Sequence, residues 1–144
     1  MNEAMLLLDL EKKGLAALSQ KKYREAAAFF DKITQISSGY EHGMAFYNLA
    51  CALEEIGEIK RAREAYEKAI FYAPDDHIRL GGYASFMYLH GNANEAFEAY
   101  LSLLKIYNGD NDSDGISSCH QALYSLGNKM GWSRDKVLNT ITTS

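Results

Sequence analysis

Phe46-Tyr47-Asn48-Leu49-Ala50-Cys51-Ala52-Leu53 is answered 34 residues later by Leu80-Gly81-Gly82-Tyr83-Ala84-Ser85-Phe86-Met87. Phe46 falls on Leu80, Ala50 on Ala84 and Leu53 on Met87. The same offset of 34 carries Gly57 to Gly91, Ala62 to Ala96 and Tyr66 to Tyr100. Upstream the offset is 36: Leu10 to Phe46, Gly14 to Ala50, Ala26 to Ala62 and Phe30 to Tyr66. Two extra residues in the loop around 38–42 account for the difference. A period held at this many positions marks a chain built from stacked copies of one unit, each burying its apolar face on the next.

Each copy holds two amphipathic segments. Phe46, Leu49, Ala50 and Leu53 form one apolar stripe, and Ile59, Ala62, Tyr66, Ala69 and Ile70 form the next, at spacings of three and four that belong to helices. Gly57 between them suits the left-handed residue that ends a helix. Pro74 stops the second helix. Gly14, Ala50 and Ala84 on first helices, with Ala26, Ala62 and Ala96 on second helices, let helix axes approach to about 8 Å. Phe30, Tyr66 and Tyr100 then fill the space toward the following copy. The single proline among 144 residues agrees with long helices rather than a loop-rich sheet.

This pattern resembles the tetratricopeptide repeat (TPR) family, a helix-turn-helix of 34 residues. The copy at about 43–76 matches through Phe46, Leu49, Ala50, Leu53, Gly57, Ala62, Tyr66, Ala69 and Pro74. The copy at 77–110 matches through Leu80, Ala84, Gly91, Ala96 and Tyr100, with Leu103 and Asn108 as departures. The copy at 7–40 matches through Leu10, Gly14, Tyr23, Ala26 and Phe30, with Ile33 and Ser38 as departures. Residues 114–142, with Ile116, Cys119, His120 and Leu123 on the first-helix grid and Ser133 as an N-cap, are expected to be a capping pair or a degenerate fourth repeat. The expected fold is all-α: a right-handed α-solenoid of three repeats plus capping helices, with 1–144 as a single domain.

The resemblance implies that the first helices line a concave groove that holds a peptide or partner protein. The groove positions are Leu8, Glu11, Lys12 and Leu15 in the first repeat, Met44, Tyr47, Asn48 and Cys51 in the second, and Ile78, Gly81, Gly82, Ser85, Tyr88 and Leu89 in the third, with Gln121 and Tyr124 placed to continue the row. Leu8, Leu15, Met44 and Ile78 offer apolar anchors, while Tyr47, Asn48 and Tyr88 offer hydrogen bonds. Gly81 and Gly82 inside a helix cost about 1 kcal/mol each. They admit a ligand main chain, a close helix contact or a late helix start. TPR domains that clamp a C-terminal carboxylate place Lys, Asn and Arg at positions that here hold Glu11, Leu15, Asn48, Ile78 and Gly82. Only Asn48 fits, so no carboxylate clamp is expected. The layout is also similar to class II chaperones of type III secretion, without their usual extra N-terminal segment. A self-assembling scaffold, with Leu6, Leu7 or the cap as contacts, is a further alternative.

Composition sets the outer limits. The chain is 47% hydrophobic and 24% charged, with net charge −4, an ordinary globular balance without bulk attraction for nucleic acid or anionic lipid. Partners are therefore expected to be proteins or peptides, with neither nucleic acid nor membrane, and a homodimer stays open. Two cysteines, Cys51 and Cys119, make no disulfide framework and point to a cytoplasmic address. Asp9, Glu11 and Lys12 interrupt the apolar start, so it does not read as a signal peptide.

Asp110-Asn111-Asp112-Ser113-Asp114-Gly115 resembles the opening of a calcium loop, with Asp110, Asp112 and Asp114 as the ligands it would use. Gln121 stands where the bidentate carboxylate belongs, and the alternative is a polar turn whose Asx residue caps the next helix. No metal or other cofactor is expected. His42, His77, His90 and His120 show no ligand spacing. There is neither a nucleophile elbow nor a phosphate loop, so no enzyme is expected. Glu54-Glu55 and Lys60, Arg61 and Arg63 read as solvated helix ends. Tyr40, Tyr47, Tyr72, Tyr88 and Tyr124 lie off the core grid and favour protein binding.

Overall fold

The computed structural model describes residues 2–144, and among them the regular elements are all helical. The chain divides into two compact units, Met1–Pro74 and Asp75–Ser144.

The first unit comprises α1 (Glu3–Ser19), α2 (Tyr23–Ile36), a 3-10 turn (Tyr40–Gly43), α3 (Met44–Glu55) and α4 (Ile59–Tyr72). Each helix packs on the one before it. Asn2 starts α1 by accepting the Met5 amide at 2.8 Å. The stripe Leu7, Leu10, Gly14 and Ala17 is buried, and α2 answers it with Ala26, Ala27, Phe30 and Ile33. Gly14 is where the Phe30 ring needs room: a Cβ there would stand 2.7 Å from Phe30 Cζ. Gly57 follows α3 at φ +82, and the Glu58 amide returns to the Leu53 carbonyl at 2.9 Å, the closing bond of a left-handed helix end. Leu7 is part of this core, so the expectation that it serves as an assembly contact is corrected.

The two-residue insertion falls in the connection before α3. Glu41, His42 and Gly43 take φ of 51, 53 and 83 in succession. Left-handed backbone costs a residue with a Cβ about 1–2 kcal/mol, and the turn is held by its neighbours. Tyr72 covers Gly43, stacks on Phe46 at 6.0 Å and donates to Ser38 Oγ at 2.9 Å. Tyr72 is thus a packing residue, not the interface residue its off-grid position suggests.

The second unit comprises α5 (His77–His90), α6 (Ala93–Gly109), α7 (Ser113–Lys129) and α8 (Arg134–Thr142). Every helix has a side-chain N-cap, from Asp76, Asn92, Asp112 and Ser133 in turn. Asp76 also holds the buried Arg79 guanidinium at 2.8 Å, and its carboxyl is lowered despite burial by the Arg79 amide and guanidinium. Phe86, Met87, Phe97, Leu123, Leu126 and Val137 fill the core. Val137 locks α8 onto α7, because a Cβ on Gly127 would lie 2.3 Å from Val137 Cγ2. Trp132 tilts against Phe97 at 5.1 Å. α5 begins at His77, so Gly81 and Gly82 lie inside it and a late helix start is ruled out.

Candidate functional site

Among the described residues, the large apolar side chains left exposed are Met5, Leu8, Leu15, Phe71, Ile78, Leu89 and Leu138. Five of them lie on α1 or α5, which lead the first helix pair of their units. On α1, Met5, Leu8, Lys12 and Leu15 recur at spacings of three and four, so they share one stripe. Leu8 and Leu15 are 46% and 47% exposed. The adjacent stripe Leu7, Leu10, Gly14 and Ala17 is the buried one. α1 therefore carries apolar residues on two faces, and only one of them is covered.

In the first unit, Glu11 is half-buried beside this row and accepts a long bond from the Tyr40 hydroxyl at 3.4 Å. Tyr40 is thereby tied into the fold. From α3, Met44, Tyr47, Asn48 and Cys51 are all half-buried. Tyr47 meets Tyr66 edge-on at 6.0 Å, and Cys51 Sγ lies 3.7 Å from the Tyr66 hydroxyl. That hydroxyl donates to Glu54 at 2.8 Å. Tyr47, Cys51, Tyr66 and Glu54 thus form one cluster beneath the α3 surface. Burial, followed by the neighbouring thiol and carboxylate, raises Tyr66 far above its ordinary value. Glu54, read from the sequence as part of a solvated helix end, is instead this acceptor. Its distance of 12 residues from Tyr66 left no local signal.

In the second unit, Ile78 and Ser85 are exposed, while Gly82 and Tyr88 are half-buried. A Cβ on Gly81 would meet nothing nearer than Leu103 at 4.0 Å, so close helix packing does not account for that glycine. Tyr88 spans from α5 to α7: its hydroxyl lies 2.5 Å from Ser125 Oγ and Lys129 Nζ stands 4.4 Å from its ring centroid. Neither Ser125 nor Lys129 stood out in the sequence, because Tyr88 meets them only across helices.

The acidic loop does not gather its carboxylates. Asp112 turns into the N-terminus of α7 and accepts the Gly115 amide at 3.0 Å, while Asp110 ends α6 and Asp114 sits in the first turn of α7. Among the described residues no group of three or more His, Cys, Asp and Glu side chains is placed to hold a metal ion. None of the described helices is long and apolar enough to cross a membrane.

Both cysteines are free thiols raised by burial, Cys119 from 9.0 to about 11. The folded state holds the Cys119 proton more tightly than the unfolded chain does. Its contribution to stability is therefore complete below pH 9 and is lost as pH rises toward about 11. Urea midpoints at pH 8 and pH 10.5 should fall further in the wild type than in Cys119→Ala; equal falls would contradict the burial of that thiol.

A sequence profile described as tetratricopeptide repeat matches residues 47–111. In backbone the chain is similar to the TPR2B domain of yeast Sti1, solved as a pHsp70 complex. The TM-score is 0.75 at 15% identity, covering 87% of this chain and 98% of that one. It is similar to the Sgt2 TPR domain from Aspergillus fumigatus, with TM-score 0.69 at 21% identity, covering 87% and 79%. It is also similar to the first TPR of Spaghetti (RPAP3) bound to the HSP90 peptide SRMEEVD, with TM-score 0.72 at 17% identity, covering 88% and 99%. At these identities the likeness is one of fold. No curated protein matches the chain.

Proposed function

We propose that this chain, a member of the tetratricopeptide repeat family, is a non-catalytic adaptor or chaperone that holds a peptide or partner protein against its leading helices. The observation that carries the reading is the uncovered row on α1 in which Met5, Leu8 and Leu15, with Lys12 among them, are apolar where a solvated helix face is ordinarily polar. Ile78 at 46% exposure gives α5 a comparable anchor. Tyr47 and Asn48 on α3 and Ser85 on α5 supply polar groups. The proposed binding residues are those of the groove set, from Leu8 to Tyr88, each acting within its own unit.

Two of these similar structures carry a partner: the TPR2B domain of Sti1 is a pHsp70 complex, and the first TPR of Spaghetti is bound to an HSP90 peptide. This chain's ligand is of a different kind. Glu11, Leu15, Ile78 and Gly82 replace four of the five clamp residues, so at those positions a doubly charged chain terminus would meet one carboxylate and no cation, with Lys12 beside them as a single, unconverged charge. Apolar side chains are the better fit to Leu8, Leu15 and Ile78. The acidic net charge of −4 favours protein ligands over nucleic acid and membrane, and the family's usual setting supports a cytoplasmic address.

The test is affinity purification with the tagged chain, followed by mass spectrometry, with Leu8→Glu/Leu15→Glu and Tyr47→Ala/Asn48→Ala as comparisons. The two leucines are exposed, so that variant should keep its helical circular dichroism and lose its partner by about tenfold or more. Unchanged capture by both variants would reject these faces. Self-association is favoured by one observation, Phe71, which is 78% exposed near the end of α4. Light scattering over a concentration series separates it: a constant monomer mass excludes a homodimer.

A further inference from the structure

In the unit Asp75–Ser144 a depression of ≈ 290 Å³ opens between α5 and α7. Ser85, Tyr88 and Leu89 stand on one side, Ser118, Gln121 and Ala122 on the other, and Tyr100 of α6 completes the lining. The volume sits at the lower edge of the range for small-molecule sites, about 300–1,000 Å³. It suits one large apolar side chain rather than a cofactor. Leu89, 66% exposed, offers an apolar contact that nothing in the fold uses. The Tyr100 ring stands edge-on to Tyr88 at 6.2 Å, and burial raises its phenol, so the hydroxyl remains a donor.

Charge is distributed unevenly around this depression. From Asp75 onward the chain has eight acidic and five basic residues, yet no carboxylate lines the space. Lys129 stands beside it over the Tyr88 ring and forms no ion pair among the described residues. Arg134 lies over Tyr124 at 4.4 Å and Lys136 over Trp132 at 4.2 Å, so three of the five cations follow one another from the end of α7 into α8, each on an aromatic face. Lys129 is exposed, and a ring holds an ammonium only weakly, so Lys129 can turn from Tyr88 to an incoming acid.

We propose that this depression and Lys129 together receive a peptide segment in which a large apolar side chain neighbours an acidic residue. The apolar group fills the space against Leu89, Ala122 and Tyr100, and the carboxylate takes Lys129. The proposal rests on the peptide-holding reading above and gives the second unit its own ligand chemistry. Ser85 and Tyr88 of the lining belong to the groove positions on α5, and the new element is the cation from the end of α7.

The experiment displays a library of short random peptides to the full chain and measures the affinity of a selected peptide, as a synthetic labelled probe, by fluorescence anisotropy. Selected sequences should pair Leu, Phe or Met with a nearby Asp or Glu. Ala122→Trp, which fills the depression, and Lys129→Glu, which reverses an exposed charge without touching the core, should each weaken the probe by about tenfold or more. Exchanging the probe's acid for Lys should restore its binding to Lys129→Glu. Selected peptides without an acidic residue, or a probe indifferent to Lys129→Glu, overturn the proposal. If such peptides are instead lost on Leu8→Glu/Leu15→Glu, the peptide-holding reading stands and only this site falls. A library that yields no binder overturns both.

Discussion

Ala62→Glu is expected to unfold the first unit under conditions where the wild type is stable. Ala62 of α4 and Ala50 of α3 are both fully buried, on two helices that pack against each other. Glutamate there adds a longer side chain where only a methyl fits, costing about 1–3 kcal/mol in overpacking. It also places a carboxylate among apolar groups, which costs several kcal/mol more unless it is protonated. A small domain has about 5–15 kcal/mol to lose. Urea denaturation followed by circular dichroism should show either no folded baseline or a sharply lowered midpoint. Glu64→Ala, on the exposed side of the same turn, should leave the midpoint within about 0.5 kcal/mol. An unchanged midpoint for Ala62→Glu would mean that the register of α3 against α4 is wrong.

Phe30→Ala should cost about 3–5 kcal/mol, since the ring is fully buried and its removal leaves a cavity. The ring also explains why residue 14 is glycine. Gly14→Ala should destabilise the wild type, because its new methyl meets Phe30 Cζ at 2.7 Å. In the Phe30→Ala background the same change should be neutral or stabilising, because the clash is gone and alanine favours a helix over glycine by about 1 kcal/mol. A double-mutant cycle in urea measures this reversal of sign. Simple additivity would contradict the pairing.

The helices were legible because their determinants are local and periodic. The stripes, Gly57 at a left-handed helix end, Ser133 capping α8 and Asp112 capping α7 each follow from a few neighbouring residues. Even so, the same letter can serve two purposes. Gly57 and Gly91 share a place in the period, but Gly91 has φ −95, and its glycine is explained by crowding, with Met87 Cε 2.4 Å from where a Cβ would lie.

What the sequence hid was contact across helices. Tyr40, Tyr72 and Tyr88 all lie off the core grid, yet Tyr40 reaches Glu11, Tyr72 covers Gly43 and Tyr88 reaches Ser125. Each pairing depends on where two helices meet, which a period within one helix does not encode. The second apolar row of α1 was visible as Leu8 and Leu15. Its exposure was not, since coverage depends on what packs there. The depression beside Lys129 combines α5, α6 and α7, and no single segment of sequence announces it.

Amide hydrogen exchange of the full chain, with and without a saturating selected peptide, tests the central claim most directly. Added protection should fall on the leading helices, α1 and α3 in the first unit or α5 and α7 in the second, where it can reach α6 around Tyr100, with α2 and α4 unchanged. Protection confined to α2 or α4 would contradict it.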